Sequence, residues 1–253
     1  MELAVPVPGG ELWAEDTGGE GTPLVLVHGD WTDSGIWSPL TRLLRDRYRV
    51  IRYDLRGFGR SPRPVNPFTR LDDLLAVLDH LDVVRAVVVG HSGGGGTALG
   101  LALAAPERVS ELILIAPGVH DYPWPADDRY FGEAGGLIKA GDQDGLVRLG
   151  LRTWAPAGSD EEITREFRGA VSSWSAVGGL ERADPPAFGR LGEVTAPAVM
   201  VIGGLEYPMV TTVSTAIAER VPGCETILFP QADHLLPLRC PARLAEVISA
   251  ARR

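Results

Sequence analysis

The chain alternates between short apolar runs and longer segments whose apolar residues recur every three or four positions. Two stretches of residue-by-residue alternation, 3–7 and 11–16, are placed to pair as a hairpin across Pro8-Gly9-Gly10. The run Pro23-Leu24-Val25-Leu26-Val27-His28-Gly29 is apolar without alternation, as expected of a central strand covered on both faces. Ser38-Pro39 reads as the cap and first position of a helix with Leu40, Leu43 and Leu44 on one face. Val50-Ile51-Arg52-Tyr53-Asp54 is the next strand. A Thr-x-x-Asp start at Thr69 opens a helix carrying Leu71, Leu74, Leu75, Leu78 and Leu81 at helical spacing. Val87-Val88-Val89 then runs into Gly90-His91-Ser92-Gly93-Gly94, followed by a small-residue helix pattern and a strand at 109–116.

Strands alternating with amphipathic helices through short loops imply the α/β class, a mostly parallel sheet with helices on both faces. From about 120 to 193 the alternation stops. No core strand is predicted there, and tryptophans fall at 124, 154 and 174. Ser159-Asp160-Glu161-Glu162 reads as a capping box, after which Ile163, Phe167, Ala170, Val171 and Trp174 share a helical face that Gly178-Gly179 ends. A helical insertion after a strand end suits a lid over a site. Alternation resumes with a strand at 198–202, a helix near 210–220, a strand at 225–229 and a last helix from Pro241. The expected organisation is a core of residues 1–119 and 194–253 with a helical cap at 120–193.

The 253 residues are enough for one such domain, and 45% hydrophobic with 23% charged residues is the balance of a soluble globular protein. A net charge of −9 without any Lys/Arg stripe argues against nucleic acid or an anionic membrane as a partner. The first residues lack the basic and apolar regions of a signal peptide, and no apolar run reaches membrane-spanning length, so a cytoplasmic protein is expected. Cys224 and Cys240 match no metal-ligand spacing and read as free, buried thiols. The expected partner is a small-molecule substrate, met by a monomer or homodimer.

The chemistry centres on Ser92. A strand that turns sharply into a helix at Gly-x-Ser-x-Gly holds the serine in a strained conformation, and glycines at 90 and 94 remove the clashes that the turn creates. A serine hydroxyl needs a base oriented by a third group. His234 lies in a loop just after the final strand, at the sheet edge where parallel strands end. His80 falls on a solvated helix face, and His28 and His91 flank strand ends, where they pack or position loops. Glu206, in Gly203-Gly204-Leu205-Glu206-Tyr207-Pro208, is the carboxylate of the loop after the preceding strand, with Asp121 as its rival. Asp233 reads as loop-shaping. The oxyanion donors would be the backbone N–H groups of Gly93, at a helix start, and Asp30. The Asp30 side chain is uncomfortable beside a site built for negative charge: it points outward, or a substrate group or neighbouring donor answers it. Trp31, Trp124, Trp154, Phe167 and Trp174 are candidates for an apolar pocket wall suited to a moderately hydrophobic small molecule.

Together the segments His28-Gly29, Asp54-Leu55-Arg56-Gly57-Phe58-Gly59-Arg60-Ser61, Gly90-His91-Ser92-Gly93-Gly94, Gly203 to Pro208 and Ala232-Asp233-His234 resemble the α/β-hydrolase superfamily over essentially the whole chain. The resemblance implies an eight-stranded, mostly parallel sheet with a helical cap after the sixth strand. It makes Ser92 the nucleophile, Glu206 the acid, His234 the base, and Asp30 with Gly93 the oxyanion hole. Many relatives carry Asp where Glu206 stands, and Ala-Gly-His where this chain has Ala-Asp-His. Serine at 92 argues against the branches with a carboxylate nucleophile. The segment with Asp54 and Arg56 is expected to hold site-facing turns in place. The implied activity is a cofactor-independent and metal-independent serine hydrolase of a carboxylic ester or lactone. The alternatives are a carbon–carbon bond hydrolase or lyase on the same scaffold, and a receptor-like binding protein that retains the triad.

Overall fold

The computed structural model describes residues 1–125 and 128–250, with the backbone alone at 175 and 176. Its centre is an eight-stranded sheet: β1 (Glu2–Val7), β2 (Gly10–Asp16), β3 (Thr22–Val27), β4 (Tyr48–Tyr53), β5 (Ala86–His91), β6 (Val109–Ile115), β7 (Ala198–Gly203) and β8 (Glu225–Phe229). The strands lie in the order β1-β2-β4-β3-β5-β6-β7-β8. The first two form the expected hairpin, β2 meets β4 antiparallel, and every other pair is parallel.

Every residue of β5 and β7 is buried, which is why these strands read as unbroken apolar runs. Their side chains still divide by parity. Ala86 and Val88 enter one core layer, Val87 and Val89 the other. On the first face pack α2 (Arg70–His80), α3 (Gly93–Ala104) and α7 (Pro208–Ala218), through Leu71, Leu74, Leu78, Leu99, Val213 and Ile217. On the second pack α1 (Ser38–Leu44) and α9 (Pro241–Ala250), through Leu40, Leu44, Leu244 and Ile248. Between β6 and β7 the described residues hold α4 (Arg129–Ala140), α5 (Gln143–Trp154) and α6 (Glu161–Val177), and no strand of the sheet. A four-residue α8 (Leu236–Arg239), absent from the sequence reading, follows β8. No helix among the described residues is long and apolar enough to cross a membrane.

Several local expectations are corrected. The helix expected at Ser38 is entered through a 3₁₀ turn, Ser34–Trp37, whose cap is Asp33; the Ser38 hydroxyl instead accepts from the Arg52 guanidinium at 2.6 Å. Leu43 faces solvent at 52% exposure, so only Leu40 and Leu44 anchor that helix. The cap of α6 is Asp160, not Ser159, and its carboxylate accepts from the Ile163 N–H at 2.8 Å. Cys224 and Cys240 are free but half-buried rather than buried. The Thr69 cap of α2 and the Gly178 end of α6 stand as expected.

Candidate active site

Strand β5 passes into α3 at Ser92, which has φ 54° and ψ −124°. A non-glycine residue holds such a conformation only where its surroundings enforce it. The Ser92 N–H donates to the Ile115 carbonyl at 3.0 Å, and the Ser92 carbonyl accepts from the Gly95 and Gly118 N–H groups at 2.9 and 2.8 Å. A Cβ at Gly90 would lie 2.5 Å from the Gly94 carbonyl oxygen, and one at Gly94 would collide with the Val27 and His28 carbonyls. Gly29 is a third close approach. A Cβ there would lie 2.6 Å from Ser92 Cβ and 3.2 Å from Ser92 Oγ, so the loop after β3 crosses directly beside the serine.

The acid and base loops are fastened to each other. Gly204 N–H donates to the Phe229 carbonyl at 2.9 Å and Leu205 N–H to the Ala232 carbonyl at 3.0 Å. Side chains at Gly203 or Gly204 would strike the backbone of Ala232 or Pro230, which accounts for the glycine pair ahead of the acid. Across this seam Glu206 Oε2 lies 2.9 Å from His234 Nδ1, with side chains 0% and 3% exposed. A carboxylate there accepts the Nδ1 proton and leaves Nε2 as the basic nitrogen. Asp233 has the loop-shaping role expected of it, accepting from the Leu235 and Ala157 N–H groups and from Arg239.

His91 and His28 are tied to backbone groups of neighbouring segments. His91 Nε2–H donates to the His234 carbonyl at 2.8 Å; burial first, then the neighbouring His234, hold its pKa well below the ordinary value, so it stays neutral. His28 donates from Nδ1 to the Gly29 carbonyl at 2.8 Å and accepts the Leu55 N–H at Nε2 at 3.0 Å. His80 is exposed. The rival acid, Asp121, is occupied elsewhere: its Oδ1 accepts from the Ala187 and Phe188 N–H groups at 2.8 and 2.7 Å. In the Asp54 segment, Asp54 accepts from the Ser34 and Arg60 N–H groups, and Arg56 forms a buried pair with Asp73 at 2.6 Å.

Ser92, Gly93 and His234 open onto a cavity of about 430 Å³. Trp31, Trp124, Trp154 and Trp174 line this cavity; Phe167 does not, because it stacks behind Trp31 at 5.0 Å between ring centroids and is wholly buried. The Trp154 ring lies 4.7 Å from that of His234, and the Trp174 indole N–H donates to the Asp30 carbonyl at 2.8 Å. Tyr130, Phe131 and Tyr207 complete the aromatic wall. None of these three was singled out from the sequence, although Tyr207 directly follows Glu206.

A polar end holds Asp30, which the sequence singled out, with Arg70, His120 and Glu181, which it did not. Arg70 reaches Asp30 at 2.6 Å and Glu181 at 2.8 Å. Loss of solvent alone would raise the Asp30 carboxyl, but the charge and hydrogen bond of the Arg70 guanidinium, with His28 and His120 adding to them, hold the carboxyl below its ordinary value. A neighbouring donor therefore answers the Asp30 charge. Helix α3 begins at Gly93, whose N–H is one of the first-turn amides that a helix leaves without an internal acceptor.

A family model described as "Alpha/beta hydrolase family" matches residues 24–247. The chain is 31% identical over 267 residues to the dihydrolipoyllysine-residue acetyltransferase component of the acetoin cleaving system of Pseudomonas putida, covering 96% of this chain and 67% of that protein. It is 30% identical over 253 residues to the 2-hydroxymuconate semialdehyde hydrolase of Pseudomonas sp. strain CF600, covering 91% of this chain and 86% of the relative. Among solved structures, Est816, described as an N-acyl homoserine lactone degrading enzyme, superposes with a TM-score of 0.83 at 26% identity over 98% of this chain and 99% of that one.

Proposed function

The chain belongs to the alpha/beta hydrolase family, and on that footing we propose that it hydrolyses a carboxylic ester or lactone of a small, moderately hydrophobic molecule. The observation that carries this reading is the Glu206–His234 pair at 2.9 Å beside a cavity that Ser92 also lines. Ser92 Oγ attacks the carbonyl carbon while His234 Nε2 takes its proton. Glu206 holds the imidazole in the tautomer with Nδ1 protonated and stabilises the imidazolium. The carbonyl oxygen gains a full negative charge against the N–H groups of Asp30 and Gly93. The tetrahedral intermediate collapses as His234 returns the proton to the leaving alkoxide, so the alcohol departs and the acyl-serine remains. Water then gives a proton to His234 and its oxygen to the acyl carbon, releasing the acid and restoring Ser92.

In this reading residues 120–193 act as a cap, and their aromatic side chains form the wall that receives the acyl or alcohol group. About 430 Å³ is room for a small ligand rather than a polymer. Kinship with a 2-hydroxymuconate semialdehyde hydrolase supports a second reading, carbon–carbon bond hydrolysis at the same serine. Turnover of a panel of acyl esters and lactones of graded size, run beside a vinylogous 1,5-diketone, separates the two. The ester and lactone reading expects steady hydrolysis of at least one small ester or lactone. Cleavage of the diketone alone overturns it.

A further inference from the structure

We propose that Arg70 is a positioning residue for this hydrolysis, cancelling the Asp30 carboxylate beside the nascent oxyanion. The inference rests on the ester-hydrolase reading. It starts from Gly93, which follows the serine and supplies an oxyanion donor in that reading. A methyl group at Gly93 would collide with the Asp30 carboxylate and lie 2.9 Å from Arg70 Nη1. Both side chains of the ion pair therefore crowd Gly93, the residue whose N–H receives the oxyanion in that reading, and glycine at 93 leaves them the space.

The backbone at Asp30 is useful to the reaction; its side chain is not. An unscreened carboxylate at ~5 Å from an oxyanion, at an effective dielectric of about 20, slows the chemical step on the order of 10²-fold. The guanidinium removes that penalty by standing against Asp30 at 2.6 Å. Arg70 is in turn held from behind. Glu181 receives its Nε at 2.8 Å and its Nη2 at 3.2 Å. The segment carrying Glu181 is fixed to the start of α2, because the Phe68 N–H donates to the Leu180 carbonyl at 3.1 Å and the Arg182 N–H to the Phe68 carbonyl at 2.8 Å. The Trp174 indole N–H holds the Asp30 carbonyl. The cationic head is thus aimed at one carboxylate by another that lies far along the chain.

Three variants and a neutral ester, p-nitrophenyl acetate, test this. Arg70→Gln is expected to lower kcat on the order of 10²-fold while KM stays within about threefold, the signature of an interaction made in the transition state. Adding Asp30→Asn to Arg70→Gln is expected to recover at least about tenfold in kcat, because the uncompensated charge is gone. Adding Glu181→Gln instead is expected to recover nothing. A purely structural role predicts otherwise, since Glu181 stays unpaired in the Arg70→Gln/Asp30→Asn protein and the Arg70–Glu181 ion pair is lost in both doubles. Wild-type protein that releases no nitrophenol, nor turns over any ester or lactone of the panel, overturns the hydrolase reading and this proposal together. Wild-type protein that is active, with Arg70→Gln undiminished or rescued by Glu181→Gln rather than Asp30→Asn, overturns the role of Arg70 alone.

Discussion

Glu206 Oε2 and His234 Nδ1 stand 2.9 Å apart with both side chains sealed from solvent, while Asp121 spends its Oδ1 on two backbone amides of the segment before β7. In the proposed mechanism Glu206 therefore fixes the imidazole. Glu206→Gln is expected to lower kcat for a good ester ~10³–10⁴-fold with KM little changed, because an amide favours the wrong tautomer. Asp121→Asn is expected to change kcat by less than about fivefold, having no contact with the base. Steady-state kinetics on the two variants decides, and a larger loss in Asp121→Asn would contradict the assignment.

Gly29 is packed against the serine itself. Gly29→Ala forces a Cβ to within 2.6 Å of Ser92 Cβ, so either the loop or the serine moves. Overpacking of this kind costs about 1–3 kcal/mol of stability. The activity loss is expected to exceed that share, at roughly 10²-fold or more in kcat/KM, since a displacement near 1 Å at the reacting atoms suffices for it. Urea denaturation and kinetics on one preparation separate the two effects.

Phe167 and Trp124, both read from the sequence as pocket wall, take different places. Phe167 is fully buried behind Trp31, and Trp124 is 40% exposed at the cavity. Phe167→Ala is expected to cost about 3–5 kcal/mol in chemical denaturation. Trp124→Ala is expected to cost less than about 1 kcal/mol and to alter KM for bulky esters more than for acetates.

Glu166 on α6 has its carboxyl pushed up to about 7, by burial first and then by Asp33. The ordinary value is 4.5, so between pH 4.5 and about 7 the folded protein binds a proton that the unfolded chain has released. Stability contributed by this group falls as pH rises through that window, and the penalty is complete above it. Glu166→Gln is expected to stabilise the protein by about 1–3 kcal/mol at pH 8 and to change little at pH 4.5. Equal effects at the two pH values would contradict the assignment.

The sheet was legible because its strands advertise their burial. β5 and β7 are apolar without interruption, and the β1–β2 hairpin alternates around Pro8-Gly9-Gly10. The Ser92 turn was legible because its glycines bracket the serine at fixed spacing, Gly90 being required by the Gly94 carbonyl within the turn itself and Gly94 by the neighbouring β3 backbone. Caps were harder. Asp160 and Ser159 can each accept from a first-turn amide, and backbone angles, not residue type, choose between them. The side of Phe167 was hidden because helical spacing tells which face is apolar but not whether that face meets a cavity or another ring. Arg70 was hidden entirely. Its partners Asp30 and Glu181 lie far from it in the chain, and no periodicity or local motif links such distant charges.

The central claim is that Ser92 is made nucleophilic by His234 and Glu206. Treating the protein with a fluorophosphonate and mapping the adduct by mass spectrometry tests it most directly. One adduct is expected, on Ser92, formed at least about 10²-fold more slowly in Glu206→Gln and His234→Ala and absent in Ser92→Ala. Labelling at another residue, or none in the intact protein, would contradict it.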